Sequence, residues 1–362
     1  MKITHITAQH VTIPLISTFT TSLRSTNQVD CVITCVHTDN GQTGYGSGSP
    51  VPVITGETVQ SVLAAIDFIG EQLLGMTLEN TELIFQKINS CIIGSMSAKA
   101  ALDMAIYDLI GKSLHIPLYR ILGGKSQELT TDITISLDSP EKMTAECKKR
   151  VEEGFMIAKI KVGGTPDTDI KRLIAINESL EGKVQLRIDA NQGWTAKEAI
   201  YVCGALERAK VPIDLVEQPV AASDITGMRF VRENTLFPVF ADESIFSPKD
   251  ALLLIEQSAI DGINIKLMKC GGIYNALKII AIAESAGLTC MIGSMMESHL
   301  SVLAAAHLAI SKTTINRFDL DAPLFCTTNT TAPGLSYEGS TVCLTANPGL
   351  GTGSITLQPL EI

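Results

Sequence analysis

Three carboxylates and two amines recur through the second half of the chain: Lys161, Asp189, Glu217, Asp242 and Lys266. Successive members stand 24 to 28 residues apart, the length of one strand, one helix and two short loops. Each ends a short β-prone run: MIAKIKVG, VQLRIDAN, IDLVEQP, PVFADES and DGINIKLMK. The pattern reads as successive strands of a βα array. In a (β/α)8 barrel the C-terminal strand ends surround one mouth, so the five groups converge there. Three carboxylates are hard oxygen ligands for a divalent cation, and flanking lysines move protons. The set is equipped for acid–base chemistry beside a metal. A single Asp or Lys after a strand is usually a solvated loop residue or a helix cap. Five at near-constant spacing are poorly explained that way.

The elements that must position them follow from periodicity. Lys159/Lys161, Arg187/Asp189, Leu215/Glu217, Phe240/Asp242, Asn264/Lys266 and Asp319/Asp321 are all i, i+2 pairs, so each pair shares one strand face. Polar groups at alternate positions stack in layers beneath a barrel mouth. Upstream, residues 2–14 alternate like a strand, and Val32–His37 and Gly44–Ser47 flank the hairpin signal Asp39-Asn40-Gly41. Helices are expected near 57–74, 80–91 and Ser97–Lys112, the last with Ala98, Ala101, Met104, Ala105 and Leu109 on one apolar face. Leu129–Leu137 opens the array and Pro140-Glu141 starts its first helix. The tail carries two β-prone runs, Thr341–Thr345 and Ser354–Leu357, and most simply folds back onto the N-terminal sheet. The expected fold class is α/β. A capping α+β domain over 1–125 precedes a (β/α)8-type, modified TIM barrel over 126–325, and a C-terminal return over 326–362 packs on the cap.

Composition narrows the function. A chain of 362 residues is long for one core and suits a barrel with a smaller domain. Its formal charge of −10, with no basic run, argues against nucleic acid as a partner. No uncharged apolar stretch reaches spanning length, and MKITHITAQH lacks the apolar core of a signal peptide. Nine cysteines without metal-type spacing, except Cys31/Cys35, read as reduced thiols of a cytoplasmic protein. The sequons at Asn177 and Asn329 are then coincidental. Gly44-Tyr-Gly46-Ser-Gly48 lacks the spacing and following helix of a dinucleotide fingerprint. Gly124-Lys125-Ser126 lacks the upstream glycine of a phosphate loop, and no Gly-x-Ser-x-Gly elbow occurs.

At these residues the chain resembles the enolase superfamily, in its muconate-lactonizing-enzyme subgroup. The resemblance rests on Lys159-Ile-Lys161, Asp189-Ala-Asn191, Glu217-Gln-Pro219, Asp242-Glu-Ser244 and Ile265-Lys-Leu267, and covers essentially the whole chain. Within the subgroup the chain is most similar to the dipeptide epimerases, chiefly those acting on L-Ala-D/L-Glu. The narrowing motifs are Asp319-Leu-Asp321-Ala-Pro, Ser294-Met-Met-Glu297, Gly94-Ser-Met-Ser-Ala-Lys99 and the Leu23-Arg24-Ser25 loop.

The resemblance implies an isomerase working by two-base 1,1-proton transfer. Removing the α-proton beside a carboxylate creates an enediolate, and a cation on Asp189, Glu217 and Asp242 stabilises its two oxygens. One Mg²⁺ per subunit is the expected ion and Mn²⁺ the second choice; the absence of His and Cys disfavours zinc. Lys161 and Lys266 would each serve one face of the carbon, with pKa values lowered by Lys159 and the metal. Lys159 is either a contact to the substrate carboxylate or a structural lysine paired with a neighbouring acid. The family pattern gives Asp319 and Asp321 a substrate ammonium; helix capping before Pro323 is the alternative for one of them. Arg24, in the polar loop Thr18–Asn27, is a clamp for a side-chain carboxylate or an ordinary exposed arginine. Thr134 and Ser294 are expected on the peptide backbone, while Lys269 is assigned to the strand-to-helix loop and His299 to structure. Epimerisation of hydrophobic or cationic dipeptides, muconate cycloisomerase or o-succinylbenzoate synthase chemistry, and a non-catalytic barrel are the other readings. Assembly into a homo-oligomer is left open.

Overall fold

The computed structural model describes residues 1–327, 333–353 and 355. The sequon at Asn329 and, Ile355 apart, the run Ser354–Leu357 lie outside the described residues. The N-terminal unit is an antiparallel sheet of β1 (Ile3–Thr20), β2 (Ser25–Thr38) and β3 (Thr43–Gly48), in that order. Helices Val59–Leu73, Thr81–Ser90 and Met96–Leu114 follow near the expected positions. Thr58 and Ser61 form a capping box on the first, and the Asn80 side chain caps the second. The glycine run of β3 has a packing reason. A Cβ on Gly44, Gly46 or Gly48 would fall 2.1, 1.9 or 2.6 Å from carbonyl oxygens of helix Met96–Leu114. Bare backbone lets that helix lie directly on the sheet.

β1 and β2 run much further than expected. Thr18–Asn27 is a continuation of the hairpin, with Thr20 opposite Ser25 and only Thr21–Arg24 left as its tip. Rich in Thr and Ser, the segment reads as a polar loop. β-branched threonines also suit a strand, and pairing with a long partner decides the outcome.

The second unit is an eight-stranded parallel sheet. It orders β5 (Ile133–Ile135), β6 (Ile157–Lys161), β7 (Gln185–Asp189), β8 (Ile213–Glu217), β9 (Val239–Ala241), β10 (Gly262–Ile265), β11 (Thr289–Gly293) and β12 (Ile315–Asp319) in sequence. The edges meet where Asp132 N donates to Phe318 O, 3.2 Å. Intervening helices begin with the signals the sequence carries: Ser139, Thr195, Asp224 and Ser247 accept from their first turns, and Pro140, Pro166 and Pro248 sit just inside. Inside the ring Leu215, Phe240 and Met291 form a separate apolar layer. Gly262 makes room for it, because a Cβ there would meet the Phe240 ring at 2.2 Å.

Two expectations need correction. Leu129–Leu137 is not one strand: β4 (Glu128–Thr130) leaves the barrel and β5 enters it. The break falls at Thr131 and Asp132, which bond instead to Leu320 N and Phe318 O of the last strand's end. The tail strands β13 (Leu335–Glu338) and β14 (Thr341–Leu344) pair with this β4, not with the N-terminal sheet. The tail meets the cap on either side of these strands. Cys326 forms a β-bridge with Leu15 of β1 and Thr327 N donates to Pro14 O (2.9 Å). Further on, Leu118 N donates to Gly349 O (2.8 Å) and Leu350 N to Asp108 Oδ1 (2.8 Å).

Candidate active site

Strand ends deliver the charged groups to one mouth. Lys159 and Lys161 lie on β6, Asp189 ends β7 and Glu217 ends β8. Asp242 and Lys266 directly follow β9 and β10. Register sets Lys161 beside Asp189 and Asp189 beside Glu217. The sheet order puts β6 and β10 four strands apart in a ring of eight, so Lys161 and Lys266 stand on opposite sides. Arg24, Thr134, Lys159, Lys161, Lys266, Ser294, Asp319 and Asp321 line one cavity. Arg24 reaches it from the hairpin tip. Among the described residues no carboxylate pairs with its guanidinium, which is half-buried. Thr134 N donates to Asp321 Oδ2 at 2.5 Å, and Ser294 N to Asp319 O at 3.0 Å.

The buried charges are tightly arranged. Lys161 Nζ lies 2.5 Å from Asp189 Oδ2, and Lys266 Nζ 2.8 Å from Asp242 Oδ2. Lys159 Nζ stands between three acids, 2.7 Å from Asp319, 2.8 Å from Glu217 and 3.1 Å from Asp189. Burial alone would raise Asp189, but Lys161 and Lys159 outweigh it and hold the carboxyl at about 2. Burial and then the Asp189 charge push Glu217 up to about 7. Burial also opposes ionisation of Asp242, yet Lys266 and Lys269 keep it well below the carboxylate range. Burial would lower the Lys266 pKa, but the adjacent Asp242 carboxylate wins and raises it above the ordinary lysine value.

One face of this cluster suits a hard cation. Asp189, Glu217 and Asp242 can each turn one oxygen to within 4.8 Å of the others. Glu217 Oε2 and Asp242 Oδ1 are buried and accept no directed hydrogen bond, although Lys159 and Lys269 lie close by at 2.8 and 2.5 Å. Oxygens left with lone pairs to spare, and no nitrogen or sulfur ligand among them, match an oxygen-seeking divalent ion.

Several contributors escaped the sequence reading. Lys269 is buried, not on an open loop: its Nζ bonds the Asp242 carboxylate and main-chain oxygen and Asn264 O. It follows Lys266 by three on the short helix Leu267–Cys270, a spacing that returns a side chain to the same face. Asn264 Nδ2 holds Glu217 Oε1 at 2.7 Å, and Asn191 Nδ2 holds Glu243 Oε1 at 3.1 Å. Asp132 joins Asp319 and Asp321 in a second acid group, tied down by Arg187 at 2.7 Å. Burial, then the Asp319 charge, pushes Asp321 up to about 7, while Lys159 outweighs burial to lower Asp319. His299 opens helix His299–Ala309 as a buried residue outside the cavity lining.

A capped parallel barrel with this mouth belongs to a known class, and sequence comparison agrees. Residues 3–123 match the family described as "Mandelate racemase / muconate lactonizing enzyme, N-terminal domain", and residues 142–354 match "Enolase C-terminal domain-like". The chain belongs to this mandelate racemase/muconate lactonizing enzyme family. It is 46% identical to an L-Ala-D/L-Glu epimerase of Clostridium acetobutylicum, covering 98% of this chain and 99% of that one. A substrate-liganded structure of the L-Ala-D/L-Glu epimerase from Bacillus subtilis superposes with a TM-score of 0.97 at 43% identity, covering 99% of this chain and all of that one. A dipeptide epimerase from Enterococcus faecalis, complexed with Mg and L-Leu-L-Tyr, gives 0.93 at 41% identity, covering 97% and 99%. Among the described residues no helix is long and apolar enough to cross a membrane.

Proposed function

We propose that the chain is a cation-dependent dipeptide epimerase, and that its substrate is L-Ala-D/L-Glu. The observation that carries this reading is one cavity flanked by Lys161 and Lys266 from opposite sides of the ring, with the clustered carboxylates Asp189, Glu217 and Asp242 at the ends of the strands between them. Proton transfer on opposite faces of one carbon is what inversion requires. The neutral amine of one lysine takes the α-proton, and the ammonium of the other returns a proton from the far side. Running the exchange backward swaps the roles. Asp189, Glu217 and Asp242 would hold the ion, Mg²⁺ first and Mn²⁺ second. When bound there it would supply positive charge to the substrate carboxylate and relieve Lys266 of the carboxylate charge that favours its protonation. Lys159, already amid carboxylates, adds a fixed cation beside the oxygens that gain charge.

Selection falls to the rest of the lining. Asp319 and Asp321 are placed for the substrate α-ammonium, with Thr134 and Ser294 beside its peptide group. Arg24, with no carboxylate partner among the described residues, is free to pair with the Glu side chain. The relatives named for L-Ala-D/L-Glu support that choice, and all nine cysteines being free fits the cytoplasm. Arg24→Met is expected to raise KM most for dipeptides ending in Glu. A charge-assisted contact contributes about 1.5–3 kcal/mol, or roughly tenfold to a hundredfold. Dipeptides with an apolar second residue should change little. Equal loss for both classes would remove Arg24 from side-chain recognition.

A further inference from the structure

The hairpin tip that carries Arg24 meets the loop after Asp189 through one hydroxyl. Ser22 Oγ donates to Ala190 O at 3.1 Å and to Asn191 O at 3.0 Å. Those carbonyls belong to the chain leaving Asp189, whose Oδ1 accepts from Asn191 N at 2.9 Å. The seat is shaped for a small side chain. A Cβ on Gly163 would lie 3.0 Å from Ser22 Cβ and 2.6 Å from Ala190 O, and one on Gly193 would lie 2.5 Å from Gly163 Cα.

The platform under Ser22 is itself held firmly. Buried Asp169 accepts through Oδ2 from Gly163 N (3.1 Å), Gly164 N (2.9 Å) and Trp194 Nε1 (3.0 Å). It thereby joins the loop after Lys161 to the loop after Asp189. On the other flank Thr20 N donates to Ser136 Oγ (2.7 Å) and Leu137 N to Thr20 O (2.9 Å). Within the tip, Thr21 N donates to Arg24 O (2.9 Å), and Thr21 Oγ accepts from Leu23 N and Arg24 N. The tip is internally stiff, so its placement depends on its two attachments.

We propose that Ser22 is the positioning residue for Arg24: it docks the hairpin tip on the carbonyls beside Asp189 and so sets where the guanidinium meets the substrate. The proposal rests on the dipeptide reading, with Arg24 as the clamp for the Glu side chain. Ser22 touches no substrate and acts through Arg24.

The test is a double-mutant cycle in the full-length protein with Mg²⁺, using L-Ala-L-Glu and a dipeptide with an apolar second residue. Ser22→Ala loses one neutral hydrogen-bond donor, so kcat/KM for L-Ala-L-Glu should fall about threefold to tenfold, chiefly through KM. In the Arg24→Met background the same change should cost less than about twofold, because acting through one group makes effects non-additive. Amide exchange at Thr21–Arg24 should quicken by a similar factor in Ser22→Ala. Wild-type exchange rates in Ser22→Ala, or equal losses with and without the Arg24 side chain, overturn the proposal. A wild type that epimerises no dipeptide defeats the functional reading, and the exchange measurement still decides whether Ser22 seats the tip.

Discussion

Lys161→Ala and Lys266→Ala should each abolish epimerisation while leaving a one-sided activity behind. Lys161 on β6 and Lys266 after β10 line the mouth from opposite sides, while the neighbouring amines are engaged elsewhere, Lys159 by three acids and Lys269 by Asp242 and main-chain oxygens. Loss of a positioned base or acid costs about 10²–10⁴-fold. Epimerisation needs both lysines, so either deletion stops it. Exchange of the α-proton with solvent needs only one, so each variant should still wash deuterium into one epimer, a different epimer for each. The readout is proton NMR or mass spectrometry of L-Ala-L-Glu and L-Ala-D-Glu incubated separately in D₂O. Equal exchange of both epimers by either variant would remove the face-by-face division.

Asp242→Asn should fail in two ways at once, and that separates it from Glu217→Gln. Both changes remove an anionic ligand from the proposed cation site, and losing comparable electrostatic stabilisation costs about 10²–10³ in kcat. Calorimetric Mg²⁺ affinity should fall with activity. Asp242 additionally balances Lys266 and Lys269, both buried. Leaving buried ammonium groups without their counter-charge costs about 3–5 kcal/mol, so Asp242→Asn should also unfold at clearly lower urea. Glu217 has Asn264 as a neutral partner on one oxygen, and its amide can keep that contact after a flip. EDTA should inactivate the wild type and Mg²⁺ restore it. Full turnover by exhaustively metal-free protein would contradict the three-carboxylate site.

What could be read from the sequence was local or periodic. The ionisable residues announce themselves because each closes a β-prone run, and parallel pairing then forces those ends to one side. The helix start at Pro140 was legible because helix-start signals are local chemistry. The break at Thr131–Asp132 was not, since it depends on bonds to the far edge of the barrel. Lys269 was passed over because burial against Asp242 is a tertiary fact, although its spacing from Lys266 offered a hint. Ser22 looks like any loop serine until Gly163 and Gly193 are brought beneath it.

Substrate identity is the centre of the account, and α-proton exchange reports it whatever the equilibrium between epimers. The measurement is deuterium uptake by the wild type with Mg²⁺ in D₂O, comparing L-Ala-L-Glu with its N-acetyl derivative and with N-succinyl amino acids. Buried Asp319 and Asp321 line the cavity, and on the proposed reading they receive the substrate ammonium. The free-amine dipeptide should therefore exchange rapidly at the Glu α-carbon, and the acylated compounds at least about tenfold more slowly, the loss of a charge-assisted contact. Equal exchange of the acylated and free-amine compounds would leave the two acids with no substrate cation to hold, and would contradict the dipeptide reading.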